Sequence, residues 1–489
     1  MMSQAKARSV IDDLESGHRI GGAVVAGRGP ARRIEDPGTL NAIGEVADAT
    51  ADDVDRAVVA ARAALGGAWR TARPVQRSRI LANAARRLAE SADRFALVES
   101  LNVGKPLRQA RSDVATAARF LEYYAGAADK LEGETIPLAH DRYALVQREP
   151  VGVTAHIVPW NAPLTMLVRG VAPALAAGCT AVVKPAEATP FSALMFADLM
   201  AEAGLPAGVV NVVTGCGPQA GAALASHSQV DHVTFTGSVE TGKAVMAMAA
   251  MHLATVTLEL GGKSPLVVLE DGELDSAVDG IMRGIFTNAG QICAASSRLI
   301  VQDSVLDAVL ERLVEGSAAL SIGYGLNDPD IGPLISARQL DGVADAVGRA
   351  RAEGAQVILG GSAAAVDGYR GHFFKPTIAL VAPDSDLAQR EIFGPVLAVM
   401  SVRDLDEAIA VANNSRYGLV AGVYTRDIAS AMRFARDVEA GQVFVNRYLA
   451  GGVETPVGGV KNSGIGREKG LRGLDAYLRA KCTTMSWTG

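Results

Sequence analysis

The chain has 489 residues, a formal charge of −6 at neutral pH, 49% hydrophobic and 20% charged residues, and only 5% aromatic ones. That length exceeds what one hydrophobic core serves and calls for two or three domains, and the composition is globular rather than disordered or fibrous. With no basic surplus to neutralise phosphates, neither nucleic acid nor an anionic membrane surface is expected as a partner.

Asp12, Asp13 and Glu15 stand where a secretory leader has its apolar run. No apolar stretch reaches the ~18 residues of a membrane span, so the expected location is cytoplasmic. Thr50, with Asp53 three residues on, predicts a helix start, and Val54, Ala57, Val58, Ala61 and Leu65 recur at helical spacing. Residues 81–101 and 113–131 continue the helical pattern. From residue 142 the texture changes to alternating and then continuous apolar runs, with Pro150 and Gly152 at a boundary.

Short apolar runs at 153–158, 181–185, 209–215, 232–237 and 256–262 alternate with alanine-rich helical segments such as 193–203. This alternation predicts a parallel sheet with crossover helices. A second set, at 264–269, 298–302, 356–361, 376–381, 398–402, 421–425 and 441–446, predicts a second α/β domain. Residues 481–489 have no helical period and read as a tail, or as a strand docking elsewhere.

The four cysteines, Cys179, Cys216, Cys293 and Cys482, form no C-x-x-C pair, and the seven histidines no H-E-x-x-H. Neither a disulfide framework nor a metal site is expected. Residues 212–221 approach a dinucleotide fingerprint but carry one residue too many between the second and third glycines, which leaves Gly215 and Gly217 as ordinary turn formers. Residues 235–242 follow a strand and open a helix, where backbone N–H groups and the Ser238 hydroxyl suit a pyrophosphate. Asn161, between Pro159 and Pro163, is either part of a rigid turn or an amide donor held stiffly for an oxyanion. Lys184 and Glu187 end the next strand, at the edge where α/β sheets bind ligands, and otherwise form a solvated pair.

Cys293 has small and polar neighbours, Gly290, Gln291, Ala294 and Ala295, that let a substrate approach. Glu259 ends an apolar run just before Gly261 and Gly262, where partial burial raises a carboxyl toward a useful base. A thiol nucleophile with a carboxylate base suggests covalent catalysis, because a thioester, once formed, needs an activated water.

In chain order the motifs PWNAP (159–163), VVKPAEATP (182–190), FTGSVETG (235–242), LELGGKSP (258–265), GQICAASSR (290–298), EIFGPV (391–396), NNSRYGL (413–419) and GGVKNSGIGRE (458–468) resemble the aldehyde dehydrogenase superfamily. The resemblance runs from about residue 20 to the end. It implies an α/β fold with a Rossmann-type cofactor domain, an α/β catalytic domain and a small β oligomerisation element. On this chain they map to 1–126 with 149–260, to 261–480, and to 127–148 with 481–489, in a homodimer or homotetramer.

The implied activity is oxidation of a small-molecule aldehyde to a carboxylic acid through a thiohemiacetal and a thioester on Cys293. Glu259 matches the base, and Asn161, with the backbone N–H of Cys293, the oxyanion donor. Trp160, Lys184, Glu187, Gly237, Ser238, Glu391 and Phe393 match the cofactor site, and the Glu187 carboxylate, by repelling a 2′-phosphate, favours NAD over NADP. Ala162, Met166, Arg169, Thr287, Ile292, Leu449, Gly451 and Val457 match the substrate pocket.

The chain departs from the family pattern at several of these positions. Ala162, Thr287, Gly451 and Val457 stand where many members carry aromatic side chains, so a wider tunnel is expected, suited to a medium-sized, aromatic or carboxylate-bearing aldehyde. Arg169 is a candidate partner for such a carboxylate. Gly170 stands where many members have a lysine that relays protons with the glutamate matched by Glu468. An acylating relative that uses coenzyme A is the neighbouring alternative, against which Glu259 argues. A catalytically silent binding member is another, against which Cys293, Glu259 and Asn161 together argue.

Overall fold

In the computed structural model, residues 2–487 are described. Residues 1, 488 and 489, which end the first cofactor segment and the terminal strand expected from sequence, lie outside the described residues. Five of the apolar runs become the strands Val153–Ile157, Thr180–Lys184, Val210–Val212, His232–Thr236 and Thr255–Glu259. Nearly every residue of these strands is buried, which is why they read as continuous apolar runs rather than alternating ones.

They pair in parallel, in the spatial order Val210–Val212, Thr180–Lys184, Val153–Ile157, His232–Thr236, Thr255–Glu259. Ile157 lies opposite both Phe235 and Lys184, and Thr236 opposite Glu259, so the loops leaving these strands open on one edge. Short antiparallel strands extend both sides of the sheet, His18–Ile20 with Ala23–Val25 on one and Gly464–Ile465 on the other. Runs of two or three residues show no period and were not separable in the sequence. Gly464–Ile465 falls within 261–480, yet it belongs to the first sheet, with Gly464 opposite Glu259.

The second set of runs forms a seven-stranded sheet in the order Gln356–Leu359, Thr377–Leu380, Val396–Val402, Arg298–Gln302, Pro265–Val268, Val420–Tyr424, Gln442–Val445. All neighbours are parallel except the first pair. Arg298 is buried and ties this sheet to the helix Leu405–Asn413 and the turn after it, donating to the carbonyls of Lys263 (2.8 Å), Val411 (3.0 Å), Ala412 (2.7 Å) and Asn414 (3.4 Å). Carbonyl acceptors on every side are what make a buried guanidinium tolerable.

The helix Ala51–Gly66 starts at the Thr50 and Asp53 capping box and buries Val54, Ala57, Val58 and Ala61. The pattern over 81–101 divides into Pro74–Glu90 and Ala92–Val103, because Ser91 leaves the helical region (φ −99°, ψ 14°) and its Oγ donates to the Arg87 carbonyl at 2.7 Å. The next helix runs Leu107–Ala127, earlier than the 113–131 expected, starting behind Pro106. The chain end is a strand: Leu478–Ser486 pairs along the whole of Arg142–Pro150, which in turn pairs with Glu134–Ala139. This three-stranded sheet leaves Ile136, Leu138, Tyr143, Met485 and Trp487 exposed. Among the described residues no helix is long and apolar enough to cross a membrane, and no group of His, Cys, Asp and Glu could hold a metal ion.

Candidate active site

The carboxyl ends of the first sheet's strands meet the amino ends of the second sheet's strands across a cavity of about 650 Å³. From the first sheet come Trp160 and Asn161 after Val153–Ile157, Glu187 after Thr180–Lys184, Gly237 and Ser238 after His232–Thr236, and Glu259 at the end of its own strand. From the second come Cys293, before Arg298–Gln302, and Glu391 with Phe393, before Val396–Val402. Ala162, Met166, Thr287 and Ile292 complete the sequence-derived residues on the wall.

Cys293 follows the helix Leu274–Phe286 through a turn in which Asn288 (φ 50°) and Ala289 (φ 54°) are left-handed, a conformation that costs energy in residues bearing a Cβ. Side chains over-determine that turn. Gln109 Oε1 accepts from the Asn288 backbone N–H (2.9 Å), and Gln291 Nε2 donates back to the Asn288 carbonyl (3.0 Å). The Ile335 N–H donates to Gln291 Oε1 at 3.0 Å. The turn is also laced to the Asn161 loop. Asn161 Nδ2 donates to the Gln291 carbonyl (2.8 Å), and Asn288 Nδ2 donates to the Asn161 carbonyl (3.1 Å). One N–H of the Asn161 amide is thereby anchored, which leaves the second as a fixed donor beside Cys293.

The two glycines after Glu259 are there for close approach. A Cβ at Gly261 would lie 2.1 Å from Glu391 Oε2, and one at Gly262 would lie 2.6 Å from the Cys293 carbonyl oxygen. A side chain at Gly262 would push its strand end away from the Cys293 backbone, and one at Gly261 would displace the Glu391 carboxylate. Instead the Gly262 N–H donates to Glu391 Oε1 at 3.1 Å.

Burial governs the electrostatics. It pushes Glu259 up to about 8, helped by the Glu468 charge and opposed by Arg169, Arg467 and Lys469. Glu259 is 3% exposed and its Oε1 has no hydrogen-bond partner, so the carboxyl is an available proton acceptor rather than a structural one. Burial likewise raises the Cys293 thiol to about 11; the Arg169 cation works against this, while Glu259 and Glu391 add to it. Glu391 is raised by burial to about 7, with the Gly262 N–H and Lys263 acting in the other direction. Lys184 is lowered by burial, the Glu187 carboxylate 3.6 Å away opposing the shift.

Five sequence-derived residues lie off the cavity wall. Lys184 is buried behind the half-exposed Glu187. Leu449 is on the surface, Gly451 packs beside Gln442 and Thr455, and Val457 is bridged to Glu468. Arg169 is buried and ion-paired with Glu468.

Conversely, Lys105, Gln109, Asp113, Thr165, Ser336, Arg338 and Gln339 line the cavity although the sequence reading passed over them. Lys105 Nζ sits 2.6 Å from Asp113 Oδ2, and Gln339 Nε2 donates to the Phe393 carbonyl at 2.8 Å, holding Phe393 at φ 58° with its ring edge-on to Trp160. Gln109, Asp113, Thr165, Arg338 and Gln339 belong to helices whose periodicity reports only their buried face, and Lys105 and Ser336 precede such helices. The one signal for Gln291 and Asn288 was their place in the cysteine motif itself.

The description "Aldehyde dehydrogenase family" belongs to the family model that matches residues 25–483. The cytosolic aldehyde dehydrogenase 1 of Macroscelides proboscideus is 43% identical over 457 residues, covering 92% of this chain and 90% of that protein. Among solved structures, an aldehyde dehydrogenase from Bacillus cereus in complex with NAD+ superposes with a TM-score of 0.96 at 39% identity, over 99% of each chain. Betaine aldehyde dehydrogenase from Staphylococcus aureus, also in complex with NAD+, gives 0.97 at 35% identity, over 99% of this chain and 98% of that one. With thiol, carboxylate and amide converging on one cavity and this match spanning nearly its whole length, the chain belongs to the aldehyde dehydrogenase family.

Proposed function

We propose that this chain oxidises a medium-sized aldehyde to its carboxylic acid with NAD as hydride acceptor. The observation that carries the proposal is that Cys293, Glu259 and Asn161 line a single cavity together with Glu187, Ser238 and Glu391. The residues present fit the cofactor. Ser238 caps the helix Val239–Ala250, whose positive end suits a pyrophosphate. The cradle at Gly261 leaves room for the Glu391 carboxylate, which with Phe393 and Trp160 would hold the nicotinamide end. Glu187 would accept from the adenosine ribose hydroxyls. When bound, NAD supplies the acceptor for the aldehyde's hydride.

The chain's own residues do the rest. Cys293 Sγ gives its proton to solvent water and bonds to the aldehyde carbon, and the carbonyl oxygen takes up the electron pair of the C=O π bond. The free N–H of Asn161 and the Cys293 backbone N–H hold that oxygen. Loss of hydride leaves a thioester on Cys293. Glu259 then takes a proton from water as the water adds to the thioester carbon, and the C–S bond breaks to return the thiol and release the acid. A coenzyme A thiol has no task where a buried carboxylate already activates water.

The small side chains Ala162 and Thr287 favour bulk in the substrate. The exposed three-stranded sheet, with Leu138, Met485 and Trp487 uncovered, is read as the surface that joins subunits into a dimer or tetramer.

The test is NADH absorbance across aliphatic, aromatic and carboxylate-bearing aldehydes, with and without coenzyme A. NADH should form without coenzyme A, no acyl-CoA should appear, and Cys293→Ala should abolish turnover. NADH formation that survives Cys293→Ala would overturn the mechanism.

A further inference from the structure

Behind the base lies a charged pair that none of these steps uses. Arg169 projects from the helix Pro163–Ala177, which begins two residues after Asn161, and its guanidinium is paired with Glu468. The two side chains are only 9% and 4% exposed. Glu468 is held by the same strand neighbour that flanks the base: Gly464 lies opposite Glu259, and four residues on, Glu468 exchanges two backbone hydrogen bonds of 2.8 Å with Val457. Position 170 leaves no room for a side chain on the neighbouring face, since a Cβ there would lie 2.8 Å from His156 Nδ1. The cation ion-paired with Glu468 is that of residue 169.

We propose that Arg169 is a positioning residue of the reaction, and that its ion pair with Glu468 sets the net charge in which Glu259 and Cys293 work. The proposal rests on the thiol and carboxylate mechanism above. Two buried ions with a third ionisable group unpaired beside them form a coupled set, in which removing one partner leaves the other charge uncompensated. Glu259 is faced by Glu468, which pushes it up, and by Arg169, Arg467 and Lys469, which pull it down. Cys293 is faced by Arg169, which pulls it down, and by Glu259 and Glu391. Tyr124 and Tyr477, beside Glu468, are raised and stay neutral in the working range. Arg169 is a cation felt by both reacting groups, and Glu468 is its ion-pair partner.

The pair makes opposite predictions for its two members. Arg169→Gln removes the ion-paired cation of Glu468, so the acid limb of the kcat against pH profile moves to higher pH. Glu468→Gln frees the Arg169 charge, so the limb moves to lower pH. The double variant returns the limb close to wild type.

A second readout needs neither aldehyde nor NAD. Alkylation of Cys293 by iodoacetamide at pH 8, followed in a Cys482→Ser background, should slow about threefold or more in Arg169→Gln and quicken in Glu468→Gln, because a shift of half a pKa unit is about threefold in thiolate. Arg169→Lys keeps the cation and should keep the limb, which preserves the test should Arg169→Gln fail to fold. Equal losses of activity with no movement of the limb, or shifts of one sign in both single variants, would make Arg169 a merely structural residue and overturn the proposal. A wild-type enzyme that makes no NADH would instead defeat the function proposed above, while the alkylation rates would still judge the pair.

Discussion

Acidification should switch off hydrolysis before it switches off binding, and the structure gives the scale. Glu259 serves as base only as a carboxylate, and burial with the Glu468 charge places it at about 8. Its ionised fraction is then about one half at pH 8, about 9% at pH 7 and about 1% at pH 6. For an aldehyde whose thioester hydrolysis limits turnover, kcat should fall about 50-fold from pH 8 to pH 6. Stopped-flow NADH absorbance separates the steps. The first turnover, a burst of about one NADH per subunit, precedes the water step and should survive in Glu259→Gln, while the following steady rate drops by ~10²–10⁴ and loses its acid limb.

The same carboxyl predicts a stability signature. Its folded pKa lies above its ordinary value of 4.5, so between about 4.5 and 8 the folded chain binds more protons than the unfolded one and stability declines as pH rises. Glu259→Gln should therefore melt at a higher temperature than wild type at pH 8, and the difference should vanish at pH 4.5. A steady rate indifferent to pH between 6 and 8, or a Glu259→Gln variant that keeps the limb, would refute the assignment of Glu259 as the base.

Three further substitutions probe the rest of the site. Asn161→Ala removes the amide anchored to the Gln291 carbonyl and should lower kcat by ~10²–10³ with KM for NAD unchanged, read from initial rates. Glu187→Ala removes the carboxylate 3.6 Å from Lys184 Nζ, exchanging a repulsive neighbour of a 2′-phosphate for a free cation. The NAD over NADP ratio of kcat/KM should fall about tenfold or more, and a ratio that holds would show that Glu187 does not choose the cofactor. Gly261→Ala places a Cβ 2.1 Å from Glu391 Oε2, which must then move, and should raise KM for NAD while leaving Cys293 alkylation untouched.

The strands of both sheets were legible because buried parallel strands announce themselves as short apolar runs; Asn161 and Glu259 stand where such runs stop beside proline or glycine, whereas Cys293 was marked by its small and polar neighbours in a turn before a strand. Gly261 and Gly262 are specified by contacts with Glu391 and Cys293 that lie far along the chain, yet their mark is local, a glycine pair directly after a carboxylate.

Arg169 left no such mark. The family resemblance alone placed it in the substrate tunnel, and only the return of the chain at Gly464–Ile465, a two-residue strand without a period, brings Glu468 beside it. Lys105 and Asp113 were hidden for a related reason, one preceding and one within the helix Leu107–Ala127, whose apolar period reports the face that packs and not the face that lines the cavity. The chemistry that recurs at strand ends is therefore readable from one sequence, whereas the charges that tune it depend on which distant segment closes the sheet edge. In this chain that segment carries Glu468, and it gives an ion-pair partner to a residue read from the sequence as a substrate contact.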